Sequence, residues 1–135
     1  MFTFPYQYTE SEYGRVFNPL INIPIKTNIG WQNLWFLLDS GADTTMLTTS
    51  LATEFGLAYD KNSPIKLYGI GENSITAYSG TVIMKLGDYD IKVRVNFSSE
   101  HESTLLLGRL DIFDTFDIAF QTTTRQIIFK QLKNV

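Results

Sequence analysis

Apolar and polar residues alternate along most of this chain with a period of two, the spacing of strands with one buried face. Ile21, Ile23 and Ile25 alternate with Asn22, Pro24 and Lys26, and Val82 and Met84 with Ile83 and Lys85. Val93, Val95 and Phe97 alternate with Arg94, Asn96 and Ser98, and Phe116, Ile118 and Phe120 with Asp117, Ala119 and Gln121. Turn-forming residues punctuate these runs at Asn28-Ile29-Gly30, Gly69-Ile70-Gly71-Glu72-Asn73, Gly87-Asp88 and Thr122-Thr123-Thr124. Short strands at this rhythm predict a small barrel or sandwich.

Two segments break the period. Thr48 to Gly56 offers hydroxyl caps, places Leu51 and Phe55 on one face, and ends in a glycine stop, which predicts one short helix. A second, of no more than a turn or two, is predicted from Arg109 to Asp114. Residues 1–15, polar and Tyr-rich, read as an arm or an extra strand. No repeat, low-complexity tract or Pro/Gly/Ser linker divides the chain, so residues 1–135 read as one domain.

Composition narrows the function. With 11 Lys+Arg against 14 Asp+Glu, the net charge of −3 gives no basic surplus for a phosphate backbone, and a nucleic-acid partner is not expected. The absence of cysteine excludes disulfides, cysteine nucleophiles and Cys-based zinc sites. His101 is the only histidine, in an acid-flanked polar segment, so it reads as solvated; no metal or cofactor is expected. The N-terminus lacks a basic stretch followed by an apolar run, and no 18-residue apolar run occurs; a cytoplasmic protein with no membrane partner is the expectation.

Candidate chemistry lies in Trp35-Phe36-Leu37-Leu38-Asp39-Ser40-Gly41-Ala42-Asp43-Thr44. An apolar run delivers a half-buried carboxylate where a strand ends, and Ser-Gly-Ala turns the chain away without bulk. By itself, Asp-Ser-Gly also reads as an ordinary turn closing a strand.

Three separated segments together resemble one family, the retropepsin-like aspartic proteases, and do so in the right order. Leu37-Leu38-Asp39-Ser40-Gly41-Ala42-Asp43 resembles the active-site signature, with Ser40 where threonine is commoner. Tyr68-Gly69-Ile70-Gly71, with Gly80-Thr81-Val82-Ile83-Met84 beyond it, resembles the flap hairpin that closes over substrate. Leu105-Leu106-Leu107-Gly108-Arg109, followed by Leu110-Asp111-Ile112-Phe113, resembles the segment entering the C-terminal helix. The resemblance covers roughly residues 16–130 and is similar to that of cellular members from bacteria and archaea. It implies a mainly β fold: a small closed β-barrel with one short helix after the active-site loop and one short C-terminal helix.

Metal-free peptide hydrolysis needs a base for water and an acid for the carbonyl oxygen or leaving nitrogen. Two carboxylates about 3 Å apart do both by sharing one proton. Only one apolar-Asp-Ser-Gly exists here; Leu110-Asp111 and Phe116-Asp117 lack the Ser/Thr-Gly that follows it. The second aspartate is therefore expected from a second copy, in a C2 homodimer. On this reading Asp39 is catalytic, Ser40 bonds across the dimer axis, and Gly41 keeps the substrate path open. Ala42, Asp43, Gly69, Ile70 and Gly71 bind a peptide or protein substrate. The resemblance further implies a partly buried ion pair between Asp43 and Arg109, although Arg109 also reads as a helix cap; Arg94 reads as a solvated surface cation. The alternative function is a catalytically silent module of the same fold that dimerises or binds peptides.

Overall fold

The alternating segments of the computed structural model, which describes residues 1–68, 73–100 and 104–132, fold as strands whose apolar sides converge on one core. The N-terminal stretch supplies three of them: β1 (Phe2–Pro5) and the hairpin of β2 (Gln7–Ser11) and β3 (Gly14–Asn18). Next come the hairpin of β4 (Leu20–Thr27) and β5 (Gly30–Leu38), then β6 (Thr45–Thr48) and helix α1 (Thr49–Phe55). β7 (Ile65–Tyr68), β8 (Ser74–Leu86) and β9 (Tyr89–Ser98) form a meander. The described chain ends with β10 (Leu106–Leu107) and the hairpin of β11 (Phe116–Gln121) and β12 (Gln126–Gln131).

Seven strands make one sheet in the order β4-β5-β10-β6-β9-β8-β7, and β8 returns to β4 at Ile25 opposite Met84. The expected closed barrel is thus a ring joined at a single residue pair. A separate sheet, β1-β12-β11, gathers Phe2, Phe4, Phe116 and Phe129 into one connected ring cluster, with Phe2 and Phe129 stacked at 5.1 Å.

The period of two correctly selects the inward faces. Ile21, Ile23, Ile25, Met84, Val93 and Phe97 are all essentially inaccessible. On β11 the pattern fades, because Phe116 is buried, Ile118 is half-buried and Phe120 is 46% exposed. β11 lies at the edge of its sheet, so its far end has less of the fold to pack against.

α1 follows from local chemistry. The Thr48 hydroxyl accepts the Leu51 amide at 3.2 Å, and Gly56 adopts the left-handed conformation (φ 64°) that stops a helix. Its buried residues are Ala52 and Phe55, while Leu51 is only half-buried. The predicted C-terminal helix is not one. Within Arg109–Phe113, Leu110 is extended (ψ 126°) and Asp111 is left-handed (φ 68°, ψ −9°), so the segment is an irregular turn. No intrahelical ladder can run through those angles; Ile112, fully buried, anchors the turn in the core instead. Among the described residues, no helix is long and apolar enough to cross a membrane.

Candidate active site

β5 delivers Asp39 to the middle of the seven-stranded sheet. Its neighbour β10 runs parallel to it, with Leu106 opposite Leu37 and Leu107 opposite Leu38, and antiparallel to β6 at Met46. Two strands close in sequence are thus held apart by a third from the far end of the chain. The loop between them, residues 39–44, has nowhere to lie except across the end of β10.

The backbone fixes that loop from both sides. The Leu37 amide donates to the Leu105 carbonyl (2.8 Å) and the Asp39 amide to the Leu107 carbonyl (3.0 Å). On the return path, the Arg109 and Leu110 amides donate to the carbonyls of Ala42 (2.9 Å) and Asp43 (3.0 Å). Asp39 itself is half-buried, and its Oδ1 accepts the Gly41 amide at 2.9 Å. A Cβ on Gly41 would lie 3.2 Å from that same oxygen, so a larger residue there would crowd the carboxylate.

Sequence reasoning missed the two threonines that pin the end of the loop. The Thr44 hydroxyl accepts from the amide of buried Asn96 (2.7 Å), and the fully buried Thr45 hydroxyl accepts the Gly108 amide (3.1 Å). Nothing in their spacing announces this, since Thr45 and Gly108 lie 63 residues apart.

Of the expected site residues, Asp39, Ser40, Gly41, Ala42, Asp43 and Arg109 come together. Arg109 Nη1 donates to the Ser40 carbonyl at 2.6 Å, and its Nη2 contacts the Asp43 carboxylate. Ser40 is exposed. Gly69, Ile70 and Gly71, expected at the flap tip, and His101 lie outside the described residues. The arms beside the first three are described: β7 and β8 form an antiparallel hairpin with Tyr68 opposite Ser74.

Two expectations about charge need correction. The Asp43–Arg109 pair forms, but in the single chain its side chains are 87% and 49% exposed rather than partly buried. Arg94 is not a free cation. Its Nε (3.0 Å) and Nη2 (2.8 Å) grip the Asp111 carboxylate, and its backbone amide donates to the same group (2.9 Å). Asp111 is mostly covered, with 20% of its side chain accessible. Arg109→Ala is therefore expected to cost only about 1 kcal/mol in the isolated chain, the scale of an exposed ion pair. Arg94→Ala, which strands a covered carboxylate, is expected to lower the urea midpoint further; the opposite order would show that the Asp43 pair carries the greater part.

The same grip makes stability sensitive to acid. The Arg94 guanidinium, by hydrogen bonding, holds the Asp111 carboxyl below its ordinary value, although partial burial works against it; the Arg94 amide and positive charge add to the lowering. The folded state therefore releases this proton more readily than the unfolded state does, so the contribution is complete above the unfolded value, near about 4, and fades as pH falls through the folded one. Wild-type urea midpoints should drop faster below about pH 4 than those of Asp111→Asn, which has no proton to take up. Parallel curves would assign the acid sensitivity to other carboxylates.

Among the described residues, no group of three or more His, Cys, Asp or Glu side chains is arranged to hold a metal ion.

Comparison with known proteins bears on this geometry. A family model described as aspartyl protease matches residues 23–109, which include the whole of β5, the Asp39 loop and β10. A retropepsin-like aspartic protease from Rickettsia conorii aligns over 95% of this chain and 99% of its own, at 16% identity and a TM-score of 0.60. The retroviral protease-like domain of Ddi1 from Leishmania major aligns over 86% of this chain and 98% of its own, at 16% identity and a TM-score of 0.53. Among curated proteins, no relative matches. The chain belongs to the aspartyl protease family, and its fold is retropepsin-like.

Proposed function

We propose that this protein is an aspartic endopeptidase that works as a homodimer, with Asp39 of each copy forming the catalytic pair. The observation that carries this reading is the presentation of Asp39. A single half-buried carboxylate stands at the end of β5, held by the Gly41 amide, in a chain with no second apolar-Asp-Ser/Thr-Gly segment. One carboxylate cannot be both base and acid in the same step. A two-fold axis beside Asp39 supplies the other.

In the pair, one carboxylate keeps the shared proton and the other takes one from a water molecule as that water attacks the peptide carbonyl. The shared proton goes to the carbonyl oxygen, giving a gem-diol. Collapse breaks the C–N bond as a carboxyl group protonates the departing nitrogen. Ser40 ties the two loops together across the axis, and Gly41 leaves room for the substrate. An extended peptide lies as an added strand between the aspartates and the hairpin tips, including Gly69, Ile70 and Gly71, with Ala42 and Asp43 along its path. Neither metal nor cofactor enters these steps. The location that suits the reading is the cytoplasm.

The test is cleavage of a mixed peptide library as protein concentration is lowered. Cleavage per chain is expected to fall once dimers dissociate, in step with the appearance of monomer in sedimentation. Activity that stays proportional to concentration while the protein is monomeric would refute the two-chain site. Peptide binding without cleavage would favour the silent module of the same fold.

A further inference from the structure

The turn after β10 is held in a backbone conformation that its own sequence does not sustain. Leu110 is extended, and Asp111 occupies the left-handed region, which costs a non-glycine residue roughly 1 kcal/mol, least for Asp and Asn. Internally the turn is tied by the Asp114 amide on the Arg109 (3.2 Å) and Ile112 carbonyls and by the Thr115 amide on the Ile112 carbonyl (3.1 Å), all toward its C-terminal end. Buried Ile112 anchors the far half of the turn in the core, and the half that carries Arg109 and Leu110 has a further support.

That support comes from β9. From Val95 onward, β9 pairs on one side with β6, beginning at Thr45 opposite Val95. At Arg94, one residue earlier, β6 has not yet begun, because residue 44 belongs to the Asp39 loop. The Arg94 amide that would face the missing strand donates instead to Asp111 Oδ2 (2.9 Å), and the guanidinium closes on both oxygens of the same carboxylate. Three donors from one residue thus meet one carboxylate. Lysine offers no planar fork to repeat the arrangement. The anchor is also a firm one, since β9 pairs with β8 over ten consecutive residue pairs, Arg94 itself lying opposite Thr81.

The other side of the turn reaches the loop directly. Adjacent to Asp111, the Arg109 and Leu110 amides hold the carbonyls of Ala42 and Asp43, and the Arg109 guanidinium holds the Ser40 carbonyl. These contacts fall on both sides of Gly41, whose amide holds the Asp39 carboxylate. A rotation of the turn would therefore be passed to the Asp39 loop through three of its residues, Ser40, Ala42 and Asp43.

We infer that Asp111 is a positioning residue for Asp39: clasped by Arg94, it fixes the turn whose amides and guanidinium hold Ser40, Ala42 and Asp43. The inference rests on the reading of Asp39 as the acid–base group. Asp111 touches neither Asp39 nor the path of the substrate; it acts through Arg109 and Leu110.

Two variants separate the carboxylate from the backbone conformation. Asp111→Asn keeps a side chain that tolerates the left-handed region, and Asp111→Gly makes that region freely available. Hydrogen exchange on full-length protein is then read residue by residue. In both variants the Arg109 and Leu110 amides are expected to exchange about ten-fold faster, while the β8–β9 amides at Val82, Met84 and Val93 keep wild-type protection. Arg94→Lys is expected to behave like them. In the peptide-cleavage assay the same variants are expected to lose about ten-fold in kcat with a smaller rise in KM, because the reactive geometry at Asp39 is disturbed while Ala42 and Asp43 make up only part of the peptide's path. Faster exchange spread equally over β8, β9 and the turn would overturn the inference, since Asp111 would then contribute to global stability alone. Wild-type exchange at Arg109 and Leu110 would overturn it too, as would an unaltered kcat. Should the wild-type protein cleave no peptide at all, the protease reading fails, and the exchange pattern still decides whether Asp111 holds the loop.

Discussion

Asp39→Asn chains mixed into wild-type protein are expected to depress cleavage in proportion to their share of the mixture. The substitution replaces a carboxylate with a near-isosteric amide that can neither accept the water's proton nor deliver one. The pure variant is expected to lose about 10²–10⁴-fold in kcat, the range of a lost acid–base group. The mixture is more informative than the pure variant. If every site is built from two chains and assortment is random, equal amounts leave wild-type pairs as about a quarter of all dimers, which is about half the activity of the wild-type chains alone. A four-fold excess of variant leaves about one fifth. A site complete within one chain would be indifferent to the added protein, so an unchanged rate at four-fold excess, with exchange of subunits verified, would remove the dimeric dyad. The assay also tests the fold, because poisoning requires the variant to dimerise and hence to be folded.

Gly108→Ala is expected to be the most damaging glycine-to-alanine change among the described residues. A Cβ at this position would lie 2.4 Å from both the carbonyl carbon and the oxygen of Thr44, and 2.8 Å from its nitrogen. These are backbone atoms, which cannot swing aside as the end of a side chain can. The φ of Gly108 is −95°, open to any residue, so the requirement is for space alone. Gly108 immediately follows the two-residue strand β10 and donates to the Thr45 hydroxyl, so relief of the clash must move either β10 or the Asp39 loop. Overpacking of this kind costs about 1–3 kcal/mol and sometimes more, and the upper end is expected because neither neighbour has a free direction. Urea denaturation measures the loss of stability, and peptide cleavage at a temperature where the variant remains folded measures the displaced loop. A variant with wild-type midpoint and rate would mean that the contact between β10 and the loop relaxes easily.

Arg94 and Asp111 show how little of the support around the site is visible before folding. Asp111 could be set aside as a catalytic candidate because no Ser/Thr-Gly follows it, and Arg94 could be assigned to the polar side of its strand. Their union depends on the end of β6 falling one residue short of Arg94, a matter of register between strands. The predicted helix after Arg109 fails for a related reason. Its apolar residues at 110, 112 and 113 satisfy a turn anchored by Ile112 as well as they satisfy a helix, and the choice falls to the contacts at Asp111 and Ala42.

The sequence by itself determined the inward faces of the main strands, because alternation is a local property and the inward sides of β4, β8 and β9 follow it, although β9 is buried on both faces from Val95 onward, Asn96 and Ser98 included. It determined the start and stop of α1, because Thr48 and Gly56 act on neighbouring backbone groups. It also marked Asp39 as the carboxylate at a strand end, since the apolar run and the Ser-Gly-Ala turn are contiguous. Tertiary structure alone decided what surrounds that carboxylate. Insertion of β10 between β5 and β6 joins residues about seventy positions apart, and the cost of closing so long a loop is repaid only when the whole ring of strands assembles. The exposure of the Asp43–Arg109 pair, the closeness of Gly108 to Thr44 and the clasp of Arg94 on Asp111 are all consequences of that insertion and its register, which no local pattern of residues encodes.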